Sequence, residues 1–239
     1  CEGQCHLILH VAPAHRRQGV GGQLFDLAHS FAQTRNATTL YAAYRETPDA
    51  PAASFLSKRG FQVLERFYPS YLDLEAFNPS RFEECIRRVE AQEVRLTTYE
   101  AFGDTPLHRC NLYELEQISR KFQPFRDVQG YIPKPYEEWE EEFLKRDRST
   151  IFIALPPSEK YIVGVVTELE WYFTGTHPNW CGKGIATALK VLCIQEAKRR
   201  GYKRMDTENH EDNAAMLAVN RKLGFVFTAP EVACTLKMK

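Results

Sequence analysis

Apolar positions along this chain alternate between short continuous runs and helically spaced stripes. The run from Leu7 to Val11 is followed, beyond Pro13, by Val20, Leu24, Leu27 and Phe31 at i, i+4, i+7 and i+11. The run predicts a strand, and the spacing predicts a helix buried along those four side chains. The same succession returns about 165 residues later, with a strand from Tyr172 and a helix marked by Ile185, Leu189 and Leu192. Lys198-Arg199-Arg200 and Gly201 close that helix as its dipole and a left-handed cap favour. Residues 5–67 and 172–227 each continue with a second strand, a second helix and a Gly-Phe pair leading into a strand. Gly19 to Gly60 spans 41 positions and Gly184 to Gly224 spans 40, which argues for duplication.

Between the copies, Asn78-Pro79 predicts a helix start, with Phe82, Ile86 and Val89 on one face. A strand near 94–98, helices at 107–122 and 136–144, and strands at 151–155 and 161–167 are expected next. Pro156-Pro157-Ser158 turns the chain between the last two. The expected organisation is a partial first module over residues 1–77, a connecting helix over 78–92 and a complete second module over 93–239. The chain starts without Met and enters its first apolar run within a few residues, so a preceding segment is expected. The tight connection at 168–173 suggests that a stretch of the natural protein is missing there too.

Composition narrows the function classes. With 239 residues and 44% hydrophobic content the chain can build one or two cores. Lys plus Arg and Asp plus Glu both total 31, and no basic stripe argues for nucleic acid. No apolar run nears the roughly 20 residues of a membrane span, and the first residues lack a secretory signal, so a cytoplasmic protein is expected. The 7 cysteines are scattered without C-x-x-C pairs or metal-ligand spacing, which favours reduced thiols and no metal.

The turns carry the candidate chemistry. A glycine-rich turn entering a helix leaves the first helical N–H groups unpaired, adds the positive end of the helix dipole, and lets backbone approach an anion. A phosphate suits such a place. The first turn reads Arg16-Arg17-Gln18-Gly19-Val20-Gly21, and the second Cys181-Gly182-Lys183-Gly184-Ile185-Ala186. Arg16, Arg17 and Lys183 supply cations. A single G-x-G turn more often serves only as a helix cap. The dinucleotide fingerprint needs a third glycine, which is missing after Gly184, and a Walker loop needs Ser or Thr where Gly184 follows Lys183.

The first turn matches in full the Arg/Gln-x-x-Gly-x-Gly/Ala signature of the GNAT superfamily of N-acetyltransferases, which this chain resembles; the second keeps Gly184 and Ala186 but has Cys181 at the first position. Thr207-Glu208-Asn209, Asn213, Met216-Leu217, Asn220 and Leu223-Gly224-Phe225 are similar to the closing motif of tandem GNAT proteins of the mycothiol synthase-like group. Residues 71–77 resemble the link after their first domain. The resemblance implies an α/β fold of two tandem GNAT-like modules with central mixed sheets, the N-terminal one truncated to its fourth strand onward. It implies acetyl-CoA as co-substrate, lying in a wedge where the fourth and fifth strands splay. The implied cofactor residues are Thr176, Gly182, Lys183, Gly184, Ile185, Ala186 and Asn213 in the second copy, and Arg16, Arg17, Gln18, Gly19, Val20 and Gly21 in the first. A small-molecule amine would then attack the thioester directly.

Candidate catalytic residues follow from that placement. Glu168 and Glu170 close the third strand; Glu170 is the candidate general base, set against the plainer reading of a solvated strand-end carboxylate. His177 and His210 are further candidates. Asn213, with Asp49 as its counterpart, is either a pantetheine contact or a helix N-cap. Cys181 lacks a His arranged to activate it, and a small side chain in a tight turn accounts for it. Trp139 and residues 125–136 fall where the family shapes its acceptor pocket, while most other aromatics are expected in the core. Asn220 and Leu56 stand where many relatives place a Tyr that protonates the leaving thiolate, and an amide cannot do so. A non-catalytic acyl-CoA-binding or regulatory protein is therefore the alternative. Of the two copies, the second is expected to be active, because it alone has the helices an acceptor pocket needs.

Overall fold

A computed structural model describes residues 3–48, 51–121, 133–167, 169 and 173–238. In chain order the elements are β1 (Gln4–His6), α1 (Val20–Thr34), β2 (Thr39–Arg45), α2 (Pro51–Ser57), β3 (Gln62–Asp73) and α3 (Glu83–Glu90). Next come β4 (Arg95–Thr98), α4 (Tyr99–Phe102), α5 (Pro106–Lys121), α6 (Tyr136–Phe143), β5 (Phe152–Leu155), β6 (Gly164–Thr167) and β7 (Phe173–Thr176). The chain closes with α7 (Ile185–Arg199), β8 (Arg204–His210), α8 (Ala214–Leu223), β9 (Val226–Phe227) and β10 (Glu231–Lys237). It divides into two compact units, residues 1–69 with 228–239, and residues 70–227.

The first unit is a mixed sheet with α1 and α2. β1 runs parallel to β2, and β10 lies antiparallel between β2 and β3, with Ala233 opposite Ala43 on one side and Glu65 on the other. The unit thus takes its central strand from residues 231–237, a strand that the expected boundaries assign to the second module. β1 is shorter than the apolar run predicts: residues 7–11 are outside it, although Leu7 N–H still donates to Tyr41 O at 2.7 Å.

The burial of α1 also differs from expectation. Phe25 and Ala32 face the core with Leu40, Ala42, Leu56, Phe61, Val232 and Cys234. Leu24, Leu27 and Phe31 are 41%, 70% and 59% exposed. The second unit shows the reason. There the matching side chains Ile185 and Leu189 press on β6 at Gly164, where an added Cβ would lie 2.5 Å from Ile185 Cγ2 and 3.1 Å from Leu189 Cδ1. The described part of the first unit has no counterpart of that sheet, so the same stripe has nothing to pack on.

The second unit combines two strand systems. β4, β5, β6 and β7 form an antiparallel meander in that order. The distal end of β3 pairs with β9 through Ser70–Phe227 and Tyr71–Val226, and β8 is its other neighbour. One core gathers α7 with Phe82 and Val89 from the connecting segment and with Phe152, Ala154, Val166, Met205, Leu223 and Phe225. The expected connecting helix is there: Asn78 Oδ1 accepts from Ser80 N–H at 3.1 Å, opening a 3-10 turn that runs into α3. A second core sets Tyr99, Leu112, Leu115, Trp139 and Phe143 against Ile151, Ile153, Leu155 and Val165. The short α4 was not legible in the sequence; Thr98 Oγ1 caps it by accepting from Ala101 N–H at 3.2 Å.

Candidate active site

Both turns repeat in backbone geometry as well as in sequence. Arg16 and Cys181 are extended, at φ −73° and −64°. Arg17 and Gly182 are left-handed at φ 62° and 77°, and so are Gly19 and Gly184 at φ 84° and 88°. Gly19 and Gly184 are the N-cap residues of α1 and α7, and no side chain caps either helix. The first N–H groups of both helices are therefore left for a ligand or water, with the positive end of the dipole behind them.

The two copies differ in what surrounds the turn. In the first, Arg16 Nε donates to Val11 O at 3.0 Å and Gln18 Nε2 to Ala14 O at 3.0 Å, so both side chains brace the loop. Gly21 lies against Phe55, whose ring is 3.3 Å from an added Cβ, while Val20 is half-buried. In the second, Lys183 Nζ sits 4.2 Å over the Trp180 ring and its carbonyl accepts from Gln92 Nε2 at 3.2 Å. Gly182 borders open space, whereas Gly184 backs onto Val89 and Cys85 of α3. Ile185 is buried and Ala186 half-buried.

Strand edges complete the second site. β7 and β8 are consecutive across α7, yet β7 ends the four-stranded meander and β8 ends the other strand order, so neither pairs with the other. Thr176 closes β7 opposite Gly164, and its carbonyl accepts weakly from Cys181 Sγ at 3.9 Å. A second contact from that thiol to His177 O, at 3.7 Å, leaves Cys181 held by backbone alone. Asn213 is an N-cap: its Oδ1 accepts from Met216 N–H at 3.2 Å. His210 is buried at the end of β8, where Nδ1 accepts from Asp212 N–H at 3.1 Å, and His177 Nδ1 accepts from Asn179 N–H at 3.3 Å. Glu168, Glu170 and Asp49 lie outside the described residues, as do most of residues 125–136.

A polar chain that the sequence reading missed lies behind this edge. Lys190, in the middle of α7, is 2% exposed. Its Nζ donates to Asn220 Oδ1 on α8, and Asn220 Nδ2 donates to Asn209 Oδ1 on β8 at 2.6 Å. Met216 Sδ lies 3.9 Å from the ammonium and the Phe225 ring centroid 5.1 Å. Burial lowers the Lys190 pKa to about 7. The available signal was a lysine between Leu189 and Val191 inside an otherwise apolar stretch.

Around α5 and α6, Arg109 joins Asp104 at 2.7 Å to Glu140 at 2.9 Å, and Tyr136 Oη donates to Glu140 at 2.9 Å. Buried Glu116 accepts from Trp139 Nε1 at 3.0 Å and pairs with Arg146 at 3.4 Å. Trp139 is thus packed and hydrogen-bonded within the helical layer. Among the described residues no group of acidic, His and Cys side chains is arranged to hold a metal, and no helix is long and apolar enough to cross a membrane. Among the described residues, Cys5, Cys85, Cys110, Cys181, Cys193 and Cys234 form no disulfide.

The family model for the GNAT acetyltransferase family matches residues 2–61 and 112–225, taking in both repeats. The chain belongs to the GNAT acetyltransferase family. Mycothiol acetyltransferase of Cellulomonas flavigena is 24% identical over 94% of this chain and 65% of its own length. The mycothiol acetyltransferase of Thermobifida fusca is 23% identical over 90% of this chain and 69% of its own. The chain thus spans about two thirds of the length of these curated relatives. Among solved structures, a GCN5-related N-acetyltransferase from Sphaerobacter thermophilus aligns at a TM-score of 0.71 and 18% identity, covering 99% of this GNAT chain and 73% of that one. A tandem GNAT protein from the clavulanic acid biosynthesis pathway aligns at 0.65 and 22% identity, over 96% and 73%. These likenesses establish the tandem α/β fold.

Proposed function

We propose that the second unit is an acetyl-CoA-dependent N-acetyltransferase acting on a small-molecule amine. The observation that carries this reading is the combination at α7: an uncapped helix N-terminus behind left-handed Gly182 and Gly184, beside two consecutive strands that end separate strand orders. An anion such as the CoA pyrophosphate would meet the first N–H groups of α7 and the Lys183 ammonium. A thioester laid along β7 would find its unpaired edge, whose N–H groups can hydrogen-bond an extended chain and polarise a carbonyl. Bound acetyl-CoA supplies the activated acyl group, and the protein supplies the anion site, the edge and the approach of the amine. The relatives named for mycothiol suggest an amine of similar size, and the charge balance of 31 against 31 gives no pull toward a polyanion. We assign Thr176, Gly182, Lys183, Gly184, Ile185 and Ala186 to cofactor binding, and Glu170 to the general base.

Calorimetric titration of acetyl-CoA into the wild type, Lys183→Glu and Arg17→Glu tests the assignment. Both changes reverse an exposed charge without altering a glycine. Affinity lowered at least tenfold by Lys183→Glu alone supports the second unit. Loss with Arg17→Glu alone moves the site to the first turn, and no binding to the wild type refutes the reading.

One observation favours a second reading, an acyl-CoA-binding protein without turnover. Asn220 is fully buried and engaged through both ends of its amide, so it offers no proton to a leaving thiolate. Thiol release from acetyl-CoA across a panel of amines separates the two: tight binding with no release selects the binder.

A further inference from the structure

The two units contain an internal control for the buried polar chain. Six residues beyond the left-handed glycine, the first helix has Phe25 where α7 has Lys190. Four residues before the left-handed glycine that follows the next helix, Leu56 precedes Gly60 and Asn220 precedes Gly224. Phe25 and Leu56 are 7% and 6% exposed and belong to one apolar core. The fold therefore closes at this place with two hydrocarbon side chains. In the second unit the same place holds an amine and two amides, an arrangement that is costly to bury and is not needed for packing.

What the polar version adds is direction. Apolar contacts tolerate sliding, whereas donor–acceptor chains fix distance and angle. This chain links the three elements around the candidate wedge. Lys190 stands on α7, whose first turn is the anion site about 9 Å away along the helix axis at 1.5 Å per residue. Asn220 stands on α8, and Asn209 stands on β8, the end strand of the order that excludes β7. We propose that Lys190 is a positioning residue for acetyl transfer: through Asn220 and Asn209 it holds the β8 edge in register with α7, and so holds the acyl end of the cofactor where the amine attacks. The anion site itself is built from the backbone of residues 182–185 and from Lys183, so pyrophosphate binding does not pass through this chain. The inference rests on the acetyltransferase reading of the second unit.

The test uses the whole chain in three forms: wild type, Lys190→Met, and the double variant Lys190→Phe/Asn220→Leu, which installs the side chains that the first unit already uses. Thermal melting reports folding, calorimetry reports the Kd for acetyl-CoA, and thiol release with the best amine reports kcat and KM. The expected result is folded variants whose Kd and KM for acetyl-CoA stay within threefold of wild type and whose kcat falls at least tenfold. Unchanged kcat in folded variants overturns the positioning role and leaves the acetyltransferase reading intact. Loss of folding in both variants makes the chain a structural requirement and overturns the role as well. A wild type that binds acetyl-CoA without turnover, or does not bind it, removes the acetyltransferase reading and this inference together.

Discussion

Phe25 and Lys190 occupy the same turn of equivalent helices, one packed among hydrocarbons and the other donating to Asn220 from full burial. Leu24 aligns with Leu189, Leu27 with Leu192 and Ala32 with Ala197, so the exchange of a ring for an ammonium falls within a shared helical frame.

Lys190 makes stability depend on pH. Its pKa falls from an ordinary 10.5 to about 7 on folding, so between these values the unfolded chain holds a proton that the folded chain has released. Unfolded protein then binds more protons, and stability rises with pH across that window; below about pH 7 both states are charged and the full penalty remains. At about 1.4 kcal/mol per pKa unit the rise amounts to about 5 kcal/mol. Asn220 and Met216 from α8, Phe225, and Cys193 on α7 face the amine, with Asn209 of β8 behind Asn220; burial pushes the Cys193 thiol up to about 12, so it is neutral in the folded chain across this window. Urea unfolding of wild type and Lys190→Met from pH 6 to 8.5, below the range in which the unfolded thiols ionise, should show the rise only in the wild type.

The exposed stripe of α1 should be tolerant where its counterpart is not. Leu27→Ser removes a side chain that is 70% exposed and should change stability by no more than about 0.5 kcal/mol. Leu189→Ala opens a cavity under α7 and should cost about 2–5 kcal/mol. Denaturant midpoints of the two variants check the contrast.

Glu116 is a buried carboxylate with Trp139 and Arg146 as partners. Glu116→Ala leaves the buried Trp139 indole N–H without its acceptor and should cost about 1–3 kcal/mol. Glu116→Gln keeps an acceptor oxygen and should cost less. Near-ultraviolet circular dichroism of Trp139 and thermal melting report both effects.

Removing residues 228–239 should open the first unit selectively. β10 pairs with β2 and β3 along its length, and its Val232 and Cys234 fill the first core. Hydrogen exchange should show loss of protection in residues 39–45 and 62–67, with β5 and β6 of the second unit still protected. Equal loss in both units would contradict the division at Pro69.

Much of the frame is legible in the chain because periodicity and turn chemistry are local. Gly19, Gly184 and Gly224 are left-handed caps, Asn78 and Asn213 cap helices, and Ile185 with Leu189 marks a buried face. The misreadings share one cause. The stripe Val20, Leu24, Leu27 and Phe31 has the spacing of a buried face, yet burial depends on a partner sheet that the described first unit does not contain. β10 reads as the last strand of the second module because sequence proximity says nothing about which neighbours a strand will find. Lys190 does not stand out in the sequence, because an isolated lysine in a helix is usually a surface residue and only the fold brings Asn209 and Asn220 together behind it. The two glycine-rich turns are legible as a pair, since each depends on a handful of adjacent residues.

The place of β10 has a consequence for how the chain is made. On the ribosome, β2 and β3 are synthesised well over a hundred residues before the strand that must lie between them. Until residues 231–237 emerge, both would expose unpaired inner edges, the kind of surface on which nascent sheets aggregate. The intervening 158 residues form the second unit, 70–227, whose own ends meet through Ser70 and Phe227 shortly before β10 is made. The first sheet is thus completed only after the whole of the second unit has been translated, which makes chaperone protection of that early sheet part of the cost of this connectivity.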